Sequence, residues 1–93
     1  MTADQIAING LAHAAAAATA EPATVNELAY GHFEVVIGAE SLVIGGDALT
    51  EDDEAIYVWS TYVDGELTGS GVSETFAGAF NALTGWARSA KAV

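Results

Sequence analysis

The sequence predicts an α+β domain of two layers: an N-terminal helix, a four-stranded antiparallel meander and a C-terminal helix. Three observations carry this reading. Apolar residues recur at helical spacing towards both ends of the 93-residue chain. Between the ends the period falls to two, as in half-buried strands. Two turn signals, Gly38-Ala39 and Asp64-Gly65, join successive strand-like runs. Helices that flank hairpin-connected strands bury their apolar stripes on one face of the sheet. A chain of this length, 52% apolar, makes a single domain over 1–93 with one core.

Thr2-Ala3-Asp4-Gln5 reads as a capping box, with Asp4 favourable near the positive end of a helix dipole. A helix of about 3–20 follows, with Ile8, Leu11, Ala12, Ala15 and Ala18 as its apolar stripe. The stripe is mostly alanine, so this helix packs closely while burying little area. Pro22 ends it, because the residue before a proline disfavours the helical conformation. Thr24-Val25-Asn26-Glu27 repeats the capping-box pattern and predicts one short helical segment that stops at Gly31.

Phe33, Val35 and Ile37 then alternate with Glu34 and Val36. A two-residue turn at Gly38-Ala39 sets Val35 opposite Leu42 and Phe33 opposite Ile44, giving a hairpin of about 32–45 that Gly45-Gly46 breaks. Residues 46–54 predict a loop that includes Asp47, since the consecutive carboxylates Glu51, Asp52, Asp53 and Glu54 cannot enter a core. Ala55–Val63 is the strongest strand signal, rich in Ile, Tyr, Val, Trp and Thr. Asp64-Gly65 suits a type I′ turn, and Glu66–Val72 returns with Tyr62 opposite Leu67 and Thr61 opposite Thr68. Ser73 as N-cap and Glu74 in the first turn open a final helix of about 74–90. Its stripe is Phe76, Phe80, Leu83, Ala87 and Ala90, with Trp86 beside them; Arg88 and Lys91 favour its negative end.

Charge narrows the function classes. Thirteen Asp and Glu face two Lys and Arg, a net charge of −11, and every carboxylate precedes Arg88, the first permanent cation. Such self-repulsion costs stability, while it aids solubility and attraction to cations. Direct nucleic-acid binding is excluded, because it needs Lys and Arg to displace counterions from phosphates. An anionic membrane surface is excluded by the same sign argument, and no stretch reaches the length of a membrane span. The absence of cysteine removes disulfides, thiolate metal sites and a thiol nucleophile. Met1-Thr2-Ala3-Asp4 lacks the basic start of a signal peptide, so a cytoplasmic protein is expected.

Catalytic patterns are missing. His13 falls mid-helix and His32 at a strand start, and Gly69-Ser70-Gly71-Val72-Ser73 does not fit a nucleophile elbow. No enzymatic activity, cofactor or metal is expected. Asp47 and the 51–54 run offer oxygen ligands, yet lack the EF-hand spacing with its central glycine and closing Glu. Gly38, Gly45 and Gly46 read as turn residues rather than a phosphate-binding loop.

The sheet carries the candidate interface. If the helices cover Phe33, Val35, Ile37, Leu42, Ile44, Ile56, Val58 and Leu67, then Tyr57, Trp59 and Val63 face outward beside Glu34 and Glu66. Exposed aromatics among carboxylates give a basic partner both anchors and steering charges. The reverse assignment stays open, with Tyr57 and Trp59 in the core and Ser60 in solvent. A homodimer that buries this face also stays open.

In size, acidity and lack of a catalytic site the chain resembles small phage-encoded inhibitors of the anti-CRISPR and anti-restriction DNA-mimic type. The unit Tyr57-Val58-Trp59-Ser60-Thr61-Tyr62-Val63-Asp64-Gly65-Glu66-Leu67, followed by a helix opened at Ser73-Glu74, is similar to the hairpin-plus-helix end of many short phage proteins. The resemblance includes no family-defining motif and transfers no residue by position. It implies a stoichiometric inhibitor, a monomer or small homo-oligomer in the host cytoplasm. Its partner would be a basic, nucleic-acid-binding protein surface of a defence complex or nuclease. Carboxylates spaced along a surface would mimic phosphates there, namely Glu34, Glu40, Asp47, Glu51, Asp52, Asp53, Glu54, Asp64 and Glu66, with Tyr57 and Trp59 as anchors. Two other classes remain open: an acidic housekeeping domain of a halophile, and a phage structural or self-assembling subunit that uses the sheet face.

Overall fold

A computed structural model describes residues 3–47 and 56–90. Helix α1 spans Ala3–Ala18 and is followed by strand β1 (Thr24–Glu27), a 3-10 turn (Ala29–Gly31), and strands β2 (Phe33–Ile37) and β3 (Glu40–Asp47). Strands β4 (Ile56–Val63) and β5 (Glu66–Ser73) and helix α2 (Phe76–Ser89) complete the order. Among the described residues five strands form one antiparallel sheet in the order β1-β2-β3-β4-β5, and both helices lie on one face. The domain is therefore α+β, as the periodicities predict, with five strands in place of four.

The added strand is β1. The expected helical segment at 24–31 is instead a strand whose register sets Val25 opposite Val35 and Asn26 opposite Glu34. A helix of one or two turns gains few hydrogen bonds for the backbone order it demands. Pairing on β2 satisfies the same groups and lets Val25 pack on the core. The chain then reverses through Tyr30, held in the left-handed region at φ 60°, and Gly31 at φ 73°. Leu28 N–H donates to His32 O at 2.8 Å and closes this reversal.

The two tight turns form where the sequence places them. Gly38 (φ 61°) opens the first, and β2 and β3 pair with Val35 opposite Leu42 and Phe33 opposite Ile44. Asp64 (φ 53°) and Gly65 (φ 82°) both take positive φ, as a type I′ turn requires. Tyr62 pairs with Leu67, as expected. A bulge then shifts Thr61 onto Gly69 rather than Thr68, although the Thr61 and Thr68 hydroxyls still share a 3.1 Å hydrogen bond. Gly45-Gly46 does not break β3, which continues to Asp47.

The core lies between the helices and one sheet face. Ile8, Leu11, Ala12 and Ala15 of α1 meet Phe33, Val35, Ile37, Leu42 and Ile44 of the sheet and Ala79, Leu83 and Ala87 of α2. Alanines on both helices permit close approach, and the largest fully buried side chains are Val35, Ile37, Leu42 and Ile44 of β2 and β3 with Leu11 of α1 and Leu83 of α2. Fully burying each of them is worth roughly 1.5–3 kcal/mol. Helix α2 starts later than expected: Thr75 is its N-cap, its Oγ1 accepting from Gly78 N–H at 3.1 Å. Ser73 stands outside the helix and accepts from Thr75 N–H. Phe76 and Phe80, expected on the buried stripe, are 46% and 39% exposed, while Leu83, Ala87 and Ala90 are buried.

Candidate functional site

Strand register decides which residues share a face. Ile44 pairs with Trp59, Leu42 with Thr61 and Gly46 with Tyr57, so Tyr57 and Trp59 lie on the helix side with the core residues. This reverses the expected orientation of β4. Both aromatics are half-buried and pack against the core. Tyr57 meets Phe76 of α2 edge-on, with ring centroids 6.2 Å apart. The Trp59 indole crosses Gly71 on β5, where an added Cβ would fall 2.5 Å from the ring. Tyr57 and Trp59 are thus not outward anchors. Val63 also belongs to the helix side of β4, and its register partners there are Glu40 and Glu66.

The opposite face carries no described helix. Its positions are Val36 of β2, Ser41, Val43 and Gly45 of β3, Val58, Ser60 and Tyr62 of β4, and Leu67, Ser70 and Val72 of β5. Glu34 is on this face, where its carboxylate accepts a 3.2 Å hydrogen bond from Asn26 Nδ2. A hollow of about 500 Å³ opens on it, lined by His32, Val43, Gly45, Val58, Ser60 and Tyr62 among others. Gly45 makes room for the His32 ring, since a Cβ there would fall 2.3 Å from His32 Cδ2. His32 Nδ1 lies 3.1 Å from Ala29 O, which orients the ring. Sequence reasoning missed this hollow. Its signal was the mid-strand glycine pair, since a glycine inside a strand marks a bend or a close approach.

The carboxylates gather at the ends of the sheet. Glu40, Asp64 and Glu66 share the end formed by the Gly38-Ala39 and Asp64-Gly65 turns. Asp64 N–H donates to Ala39 O at 2.9 Å and ties one turn to the other. Asp64 and Glu66 are exposed and Glu40 is half-buried. Asp47 closes β3 at the opposite end, while Glu51, Asp52, Asp53 and Glu54 lie outside the described residues. The structure therefore brings Glu40, Asp64 and Glu66 together, and it separates them from Asp47 and from Tyr57 and Trp59.

Among the described residues no three of His, Asp and Glu are grouped to hold a metal ion. His13 is exposed on α1, far in topology from His32 at the foot of β2. Among the described residues no helix is long and apolar enough to cross a membrane. No protein-family model, curated protein or solved structure matches the chain.

Proposed function

We propose that this chain is a non-enzymatic binding domain that occupies a Lys- and Arg-lined, nucleic-acid-binding protein surface in the cytoplasm. Its carboxylates take the places of phosphates. An inhibitor of the anti-CRISPR or DNA-mimic kind acts in this way. The observation that carries the reading is the charge order: thirteen carboxylates precede the first Lys or Arg. Partners of opposite sign are steered to such a surface, and the contacts weaken as salt rises. The tied turns support it by holding the exposed Asp64 and Glu66 on a fixed frame beside Glu40. Against the halophile alternative, the exposed α1 positions Ile6, Gly10, His13 and Ala17 carry no carboxylate, whereas a salt-adapted surface spreads its acids evenly.

The test is competition. Immobilised protein should retain nucleic-acid-binding proteins from a bacterial lysate in dilute buffer and release them on addition of duplex DNA or about 0.5 M salt. The double variant Asp64→Lys, Glu66→Lys should retain less, with its stability little changed because both residues are exposed. Retention that duplex DNA leaves untouched would overturn the reading. So would micromolar binding of the domain itself to DNA in a gel shift.

A further inference from the structure

The helix-free sheet face has a shape that the charge argument does not use. On β4 and β5, Val58 pairs with Val72, Ser60 with Ser70 and Tyr62 with Leu67. Ser60 also pairs with Val43 on β3. Two small serines thus form a floor between an apolar wall of Val58 and Val72 and a second wall of Tyr62 and Leu67. Val43 closes the trough on one side, and the β5 edge leaves it open on the other. The walls stand four residues apart on one strand, about 13 Å at the rise of a β-strand. This is the spacing of the backbone beneath the walls; it exceeds the roughly 5 Å that one added strand occupies and lets the side chains along one stripe of an α-helix seat between the walls.

Charge selects the kind of helix. No Lys or Arg occurs on any strand. Glu34 pairs with Val43 at the closed end of the trough. Asp64, in the turn after Tyr62, stands beyond one wall, and Glu74 follows Val72 and Ser73 beyond the other; Glu66 pairs with Val63 on the helix side and is no part of this rim. An apolar trough rimmed by carboxylates complements a helix with an apolar stripe and Lys or Arg on its flanks. We infer that the trough across β4 and β5 is the docking site for a basic amphipathic helix of a protein partner. The inference rests on the basic-partner reading above and adds the mode of contact. Leu67 and Val72, 64% and 63% exposed, are the outer anchors, and Val58 is the inner one.

Synthetic peptides test it. One probe is a helix-patterned Leu/Lys peptide of about 15 residues, long enough to become helical on binding. The others are its isomer with Leu and Lys strictly alternating, and a helix-patterned Leu/Glu peptide. Binding is read by anisotropy of labelled peptide at about 0.15 M NaCl. The helical Leu/Lys peptide should bind and the other two should not compete with it. Val72→Glu and Val58→Glu should each weaken binding at least about tenfold, although each adds a charge that attracts lysine. Val72 is exposed, so that variant keeps the fold even if Val58→Glu does not. Equal binding of both basic peptides, unchanged in Val72→Glu, would overturn the helix site and leave the basic-partner reading standing. Preference for the alternating isomer would also overturn it. Failure of both basic peptides to bind would remove the basic-partner reading as well.

Discussion

The two faces of the sheet are built from similar residues and have opposite fates. On the helix side Phe33, Val35, Ile37, Leu42 and Ile44 are buried to 4% exposure or less. On the other side Ile56 is buried, Val36, Val43, Val58 and Tyr62 are half-buried, and Leu67 and Val72 are exposed. Valine and leucine on a strand thus do not say which face is core. What decides is where the helices lie: α1 spans β1 to β3, and α2 packs on α1 and reaches β5. The same comparison separates stability from recognition. The covered face holds the domain together, and the proposed docking site lies on the other.

Three measurements break or sharpen this contrast. The largest effect is expected for Leu42→Ala, which removes a wholly buried side chain from the covered face. It should cost about 2–5 kcal/mol by denaturant melt, while Val72→Thr on the other face should stay within about 0.5 kcal/mol. Comparable costs would mean that both faces are covered in solution.

The next compares two glycines that make room for a ring, one on each face. Gly71→Ala forces the Trp59 indole out of its packed position and should cost about 1–3 kcal/mol. In a Trp59→Ala background that cost should largely vanish, a coupling that a double-mutant cycle reads directly. Gly45→Ala meets the His32 ring at a similar distance, but that ring sits on the helix-free face and can swing away. Its cost should stay below about 1 kcal/mol, partly offset by the lower chain entropy of the unfolded state. A larger cost at Gly45 than at Gly71 would reverse the contrast.

The smallest effect concerns charge. Carboxylates without Lys or Arg neighbours repel at low ionic strength, so the melting midpoint should rise between dilute buffer and about 0.5 M NaCl. A gain of about 1 kcal/mol would appear as roughly 4–8 °C. The rise should be the same in Leu42→Ala, because screening acts on the sheet ends and not on the core. A flat or falling midpoint would remove repulsion as a significant term, and a rise of several tens of degrees would favour the halophile alternative.

Legibility followed the turns. Gly38-Ala39 and Asp64-Gly65 are two-residue turns, and turns that short fix the register of the strands they join. Val35 opposite Leu42, Phe33 opposite Ile44 and Tyr62 opposite Leu67 were therefore readable. Between β3 and β4 lie residues 48–55, a connection too long for its length alone to fix the pairing. In β4 both alternating sets are apolar or aromatic, Ile56 and Val58 on one side, Tyr57 and Trp59 on the other. A slip of one residue exchanges the two sets at little cost in pattern, and this is how the aromatics came to be expected outward. The candidate site was legible in its carboxylates at Asp64 and Glu66, which border a readable turn. It was not legible in Val58 and Leu67, which looked like core, nor in Val72, which read only as the end of a strand.

The sequence by itself determined what depends on neighbours along the chain or on bulk charge: the α+β class, both tight turns, the alanine-lined helix α1, and a surface of −11 charge. The tertiary structure alone decided what depends on contacts between distant segments. It turned Thr24–Glu27 into a fifth strand, because β2 offered a ladder that one isolated helical turn cannot match. It also chose the inner face of β4, because Trp59 found its place opposite Ile44 and over Gly71. Local patterns report which residues are apolar. Only the packing of α1 and α2 on one side of the sheet reports which of them are covered.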